Sequence, residues 1–138
     1  MYGIVTEIKS KNGSPMGHRT EPIGLVNTNV INKKGYYNCE IVGFSYKTRK
    51  NKPILVIYFR VFEGKYQDFK LSAGFYYRDV KGKVRLSHLC KAVGITGQLE
   101  SPEGLLGKKL RLRIVIKDNE YQGRTYRNYL ITRFHKLK

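Results

Sequence analysis

Alternating apolar and charged side chains between Lys108 and Lys117 constrain the fold of this chain more than any other feature. The apolar positions of this segment are Leu110, Leu112, Ile114 and Ile116. The intervening positions carry Lys109, Arg111, Arg113, Val115 and Lys117. A period of two residues is that of a β-strand with one buried and one exposed face. The segment therefore predicts a strand that contributes to the core on one side and presents cations on the other.

Further strands are predicted along the rest of the chain. The segments with a β-rich or alternating pattern are 2–8, 36–46, 54–63, 66–77 and 126–134. Within the second of these, Gly43 marks a bend or a bulge. The segments between the strands are a cationic loop at 47–52, a hairpin turn at 63–65 and a polar hairpin loop at 118–124. Such short connections favour antiparallel pairing over βαβ units.

One short helix is predicted over residues 84–93, after a turn at 79–83. Its apolar stripe consists of Leu86, Leu89, Cys90 and Val93. Spacings of three, one and three residues place these side chains on one face of a helix. Gly94 ends the helix, because glycine tolerates the backbone conformation that commonly follows a last helical turn.

The order strand, strand, strand, helix, strand, strand predicts an all-β, mainly antiparallel fold. It matches a five-stranded OB-fold Greek-key barrel with one short helix between strands 3 and 4. A β-sandwich or an SH3-like barrel shares most of these features, and the helix favours the OB-fold. We expect the OB-fold domain to span residues 36–138. It would follow a basic, partly mobile segment at 1–35, in which residues 9–19 form a loop.

The charge balance indicates the kind of partner. The 138 residues include 27 Lys and Arg against 10 Asp and Glu, a formal net charge of +17. Self-repulsion of this size destabilises a compact chain, and a polyanion relieves it. With 11 Tyr, 6 Phe and no Trp, tyrosine is the main flat surface available for stacking. Cations and aromatic rings together favour single-stranded nucleic acid, whose unpaired bases expose their faces.

The predicted contacts follow from the OB-fold, which binds oligonucleotides on strands 2 and 3 between the loops joining strands 1–2 and 4–5. The first loop supplies Lys47, Arg49, Lys50 and Lys52. The strand face supplies Tyr58, Arg60, Phe62 and Lys70, and the outward side of the fourth strand supplies Arg111 and Arg113. The second loop and its exit supply Lys117, Tyr121, Arg124 and Tyr126. Tyr36 and Tyr37 stay ambiguous, since only one of them can face inward.

Enzyme chemistry is not indicated. His18, His88 and His135 are scattered and match no metal-ligand spacing. The acidic residues stand singly, whereas a metal-dependent nuclease needs them clustered. Cys39 and Cys90 form no disulfide framework or zinc motif, so we expect two buried thiols. We predict no catalytic residue, no metal and no cofactor.

The cellular location also follows from the sequence pattern. The first residues lack the apolar core of a signal peptide. No stretch approaches the roughly 18 uninterrupted apolar residues that a membrane helix requires. We therefore expect a soluble cytoplasmic protein, associated with the nucleoid in a bacterial host and without a membrane partner.

Residues 84–134 carry a resemblance to a known class of protein. Their motifs are the helix end Leu89-Cys-Lys-Ala-Val-Gly94, the segment Leu106-Gly-Lys-Lys-Leu-Arg-Leu-Arg113, and the hairpin Asn119-Glu-Tyr-Gln-Gly-Arg-Thr-Tyr126 leading into Arg133-Phe134. This ending resembles that of small phage- or mobile-element-type single-stranded DNA-binding proteins. The resemblance implies an OB-fold, binding of single-stranded DNA with little sequence preference, and a role in replication or recombination of such an element.

Two other functions fit the same sequence. The first is RNA binding by a basic OB protein, although single-stranded DNA is the favoured ligand. The second is a protein-interaction module or inhibitor that acts on an acidic partner. Exposed strand edges would also allow the chain to pair into a homo-oligomer.

Overall fold

A computed structural model describes residues 3–5 and 30–137, with side chains from residue 30 onward. The predicted loop at 9–19 lies outside the described residues. The strands are β1 (Gly3–Val5), β2 (Gly35–Arg49), β3 (Lys52–Val61), β4 (Lys70–Phe75), β5 (Lys109–Tyr121) and β6 (Arg124–His135). The helices are α1 (Val80–Ala92) and a single 3-10 turn at Pro102–Leu105.

The strands form one six-stranded sheet in the order β1-β6-β5-β2-β3-β4, and every pairing is antiparallel. The predicted mainly antiparallel all-β class is therefore confirmed. β4 also lies against β6 and β1. Among the described residues, however, no backbone ladder joins β4 to either strand, so the sheet is not closed by hydrogen bonds. Gly3–Val5 joins the sheet as β1, through its pairing with β6.

The core lies on one face of the sheet, where the inward-facing apolar residues of the strands pack together. Its members include Cys39, Ile41, Leu55, Ile57, Phe59, Leu71, Ala73, Phe75, Leu110, Leu112 and Ile114. Leu89 and Cys90 of α1 and Leu105 of the 3-10 turn pack against them. The alternation predicted for β5 is confirmed, because Leu110, Leu112 and Ile114 are fully buried while Arg111 and Arg113 are half-buried. Both cysteines are buried and free, as the sequence predicts.

Two predicted loops are instead the ends of long hairpins. β2 and β3 continue to Arg49 and Lys52, and only Lys50 and Asn51 form the turn, with φ of 51° and 61°. β5 and β6 likewise meet at Gln122 and Gly123, with φ of 51° and 76°. Positive φ at both central residues is the pattern of a type I′ turn, whose twist matches that of the strands. The ladder therefore persists into polar segments that the sequence suggested were loops.

Two other predicted boundaries are wrong. The segment 66–69 is a turn and not the start of a strand, with the Asp68 amide donating to the Val61 carbonyl at 2.8 Å. Helix α1 begins at Val80, so most of the turn predicted at 79–83 is its first turn. Gly82 obscured this start, since glycine disfavours helices. Gly94 follows the helix with φ of +83°, close to the predicted end.

Candidate nucleic-acid interface

The outer face of the sheet is the face opposite the core, and it carries most of the predicted contacts. Cross-strand pairing sets which outer-face residues are neighbours. Arg60 of β3 lies between Lys70 of β4 and Glu40 of β2, and Glu40 in turn lies opposite Lys109 of β5. Four neighbouring strands thus bring together, in one row across the sheet, residues that are far apart in the sequence. A register shift between Ile41 and Gly43 confirms the bulge predicted there.

Arg60 is held by two carboxylates. Its Nη2 donates to Glu40 Oε1 at 2.9 Å, and its Nη1 donates to Asp68 Oδ1 at 2.8 Å. These two hydrogen bonds raise the pKa of Arg60, with Glu40 contributing more than Asp68. The cluster of Arg60, Glu40 and Asp68 therefore has no net positive charge to offer a phosphate. Lys70 beside it is exposed.

Tyr58 lies half-buried on the same face. Its hydroxyl and the Ser45 Oγ are 2.8 Å apart, and a Cβ atom added at Gly43 would lie in ordinary van der Waals contact with its ring, at 3.7 Å. The hydrogen bond with the Ser45 hydroxyl, aided by the Lys47 ammonium, lowers the pKa of Tyr58 by more than burial raises it, so this pKa lies below its usual value. The adjacent outer-face residue Val56 is only 2 % exposed. This part of the predicted groove on β3 is therefore partly covered, and Tyr58 offers a base only part of its ring.

The two hairpin tips carry the cations that the sequence assigned to loops. Lys47, Arg49, Lys50 and Lys52 lie at the exposed tip of the β2–β3 hairpin, where Lys52 pairs with Asp79 at 3.1 Å. Lys117, Tyr121, Arg124 and the half-buried Tyr126 lie along the end of the β5–β6 hairpin. β2 and β5 pair only through residues 35–40 and 109–114, and they run in opposite directions. The tips therefore extend from opposite ends of this pairing, with the outer face between them.

Tyr36, Arg111, His135 and Lys136 form a group that we call the Tyr36 cluster. The guanidinium carbon of Arg111 lies 5.1 Å from the centre of the Tyr36 ring, and the His135 ring centre lies 5.5 Å from it. The four residues line a cavity of about 300 Å³. Arg111 Nε and His135 Nε2 are shielded from solvent and have no hydrogen-bond partner among the described residues. The cluster thus combines an accessible aromatic ring with two shielded nitrogen atoms that lack a hydrogen-bond partner.

Further cations flank the Tyr36 cluster on β5 and β6. Arg113 lies opposite both Tyr36 and Arg133, and Arg111 lies opposite His135. At the start of β5, the Lys109 ammonium lies 4.9 Å above the ring of the half-buried Phe62. Sequence reasoning found Arg111, Arg113 and Phe62 but not His135, and it left Tyr36 undecided. The available signal was the shared alternation of β2 and β5, which becomes informative only once their register is known.

The chemistry available elsewhere in the described residues is limited. No group of three His, Cys, Asp or Glu side chains within this part of the chain is arranged to hold a metal ion. Burial raises the pKa of the Cys39 thiol to about 12 and also raises that of Cys90. A thiol with a raised pKa is a poor nucleophile, because the thiolate is the reactive form. None of the helices in the described segments is long and apolar enough to cross a membrane.

No family model and no curated protein matches this chain. Its function is therefore inferred from the chemistry of the outer face, where cations and aromatic side chains of β2, β5 and β6 meet.

Proposed function

We propose that this protein binds single-stranded DNA with little sequence preference, in replication or recombination of a phage or mobile element. The Tyr36 cluster is the observation that carries the proposal. Tyr36 is 48 % exposed, Arg111 lies against its ring, and Lys136 lines the same cavity. A base stacked on an aromatic ring contributes about 1–3 kcal/mol whatever its identity. These cations would bind phosphates next to that base.

The strand order supports an OB-fold as the scaffold of this site. β2 pairs with β3 through its C-terminal part and with β5 through its N-terminal part. If β2 is counted as the first strand of the barrel, then β3, β4, β5 and β6 are its strands 2, 3, 4 and 5. The order of these strands in the sheet is then 3-2-1-4-5, and α1 lies between strands 3 and 4. Both features correspond to the OB-fold pattern. OB-folds are often partly open, so an incomplete ladder is compatible with this assignment.

Single strands fit the outer face better than duplex does. A paired base hides both of its faces, whereas an unpaired base can stack on Tyr36. The positive charge adds a salt-dependent contribution through counterion release, which is independent of sequence. The choice of DNA over RNA follows the class of protein that the chain resembles.

The test compares two tyrosines of β2 that face opposite sides. Tyr36 lies on the outer face, and Tyr46 lies opposite the core residue Leu55 and is 58 % exposed. We expect Tyr36→Ala to weaken binding of a labelled oligothymidylate by about 5- to 150-fold, which corresponds to one lost stacking contact. Tyr46→Ala should leave affinity unchanged, and Tyr36→Phe should retain it. Fluorescence anisotropy titrations with wild type and the three variants provide the measurement.

Matched oligonucleotides complete the test. The wild-type protein should bind single-stranded DNA more tightly than duplex or RNA of the same sequence. Its log affinity should fall with log salt by about 0.7 for each phosphate neutralised. Equal effects of Tyr36→Ala and Tyr46→Ala would contradict the site, and tighter binding of RNA would contradict the ligand.

A further inference from the structure

A groove between α1 and β6 adjoins the Tyr36 cluster and was not suggested by the sequence. It has a volume of about 620 Å³ and is lined by residues 132–135 of β6 and by one side of α1. The helix contributes Val80, Lys81, Val84, Arg85 and His88. All of the ionisable side chains that line this groove are basic.

The groove adjoins the site on the sheet. It shares His135 with the cavity of the Tyr36 cluster. A smaller cavity of about 220 Å³ shares His88 and Phe134 with the groove, and shares Lys136 with the Tyr36 cluster. The described residues that line these three cavities include no carboxylate. A basic path therefore leads from Tyr36 across the end of β6 and on to α1.

Arg85 places a partly desolvated positive charge in the groove. Its guanidinium donates to the backbone carbonyls of Gly74 and Ile131, each at 3.0 Å. It also lies 4.9 Å from the centre of the Phe75 ring and 5.4 Å from that of Phe134. These contacts fix the side chain but do not neutralise it, and burial lowers its pKa. A nearby anion would offset the cost of desolvating this charge.

Apolar side chains at the edge of the groove indicate a nucleotide chain and not a free anion. Val80 and Val84 are 76 % and 50 % exposed, one turn apart on α1. Apolar surface beside cations suits a ligand that alternates phosphates with sugars and bases. A small inorganic anion would use the charges and leave the valines in water.

We infer that the α1–β6 groove binds phosphates of the same DNA strand that stacks on Tyr36. The strand then leaves the outer face at the Tyr36 cluster, passes the end of β6 and continues along α1. This inference rests on the proposed function, because the strand must first occupy the Tyr36 cluster.

Lys81 and Lys83 offer a matched pair for the test. Both are exposed and lie in the first turns of α1, but Lys81 lines the α1–β6 groove, whereas Lys83 lines none of the three cavities of the basic path and borders a different cavity on the other side of the helix. Charge reversal at either position has a similar effect on helix stability, since a carboxylate near a helix N-terminus is favourable. Lys81→Glu and Lys83→Glu therefore differ mainly in the surface that they alter.

The assay uses oligothymidylates of about 4 to 16 nucleotides, the range of OB-fold site sizes. For the longest strand, Lys81→Glu should reduce the salt slope by at least about 0.7 and weaken binding about fivefold or more at 0.1 M salt, which is the loss of one phosphate contact. For the shortest strand it should change neither quantity. Lys83→Glu should leave both strands bound as in wild type.

The outcomes separate the two proposals. If Lys81→Glu and Lys83→Glu behave alike at every length while Tyr36→Ala still weakens binding, the groove is not part of the path and the proposed function stands. If Lys81→Glu weakens the shortest and longest strands equally, the groove is not an extension of the site. If Tyr36→Ala has no effect, the proposed function fails and the inference fails with it.

Discussion

Replacing Gly82 with alanine tests how closely the start of α1 packs against the backbone of Tyr76. A Cβ atom at this position would lie 1.9 Å from the carbonyl oxygen of Tyr76 and 2.5 Å from its carbonyl carbon. Both atoms belong to the backbone between β4 and α1, so no side chain can rotate away to make room. Van der Waals contact requires about 3.4 Å or more between such atoms. The start of the helix must therefore move by about 1.5 Å to accept the methyl group.

The size of the effect follows from two opposing contributions. Alanine gains about 1 kcal/mol over glycine inside a helix. Overpacking against a fixed neighbour costs about 1–3 kcal/mol, and the upper end applies because the clash is with backbone. We therefore expect Gly82→Ala to lower the free energy of unfolding by about 2 kcal/mol. Gly104, in the 3-10 turn, is the matched control, because a Cβ there would lie 3.8 Å from the Leu99 side chain.

Denaturant titrations followed by circular dichroism measure both variants. Gly104→Ala should be neutral or slightly stabilising, since its methyl group meets ordinary contact distance. Gly82→Ala should also displace α1 from β6 and so weaken binding of long oligonucleotides more than short ones. A Gly82→Ala protein as stable as the Gly104→Ala protein would refute the close packing of α1 on Tyr76.

Two further predictions concern charge. The Cys39 thiol has a folded-state pKa of about 12, against an ordinary value of 9.0. Above pH 9 the unfolded chain therefore releases this proton while the folded protein keeps it. The stability that Cys39 contributes is lost as the pH rises above 9. Wild type should lose about 1.4 kcal/mol per pH unit more than Cys39→Ala between pH 9 and 12, and parallel stability curves in alkaline titrations would contradict this. Glu40→Gln combined with Asp68→Asn should release Arg60 from both carboxylates and tighten binding of single strands about fivefold at 0.1 M salt, the gain of one phosphate contact. Glu100→Gln combined with Glu103→Gln, which removes two exposed carboxylates elsewhere, is the control, and an equal gain from both double variants in anisotropy titrations would show that only net charge matters.

The pattern of residues adjacent in the sequence was enough to predict elements whose structure depends only on those residues. The alternation of β5 specifies a buried and a cationic face because side chains of a strand point to opposite sides in turn. Gly43 was recognised as a bulge for a similar reason, since it interrupts a strand pattern with a residue that has no side chain. The hairpin ends were missed because type I′ turns let the ladder run to the last residue, whatever the polarity of the strand.

The composition of the candidate binding surface depended on tertiary structure. Tyr36, Arg111 and His135 lie on three strands, and only the β2–β5–β6 register makes them neighbours. The same register places Glu40 beside Arg60, which neutralises a cation that the sequence alone presents as free. Period-two patterning records which face a residue occupies, but a shift of register changes every neighbour across the sheet. The sequence by itself therefore determined that a basic, tyrosine-bearing β-sheet would form, and only the folded chain decided which cations stand unopposed beside an aromatic ring.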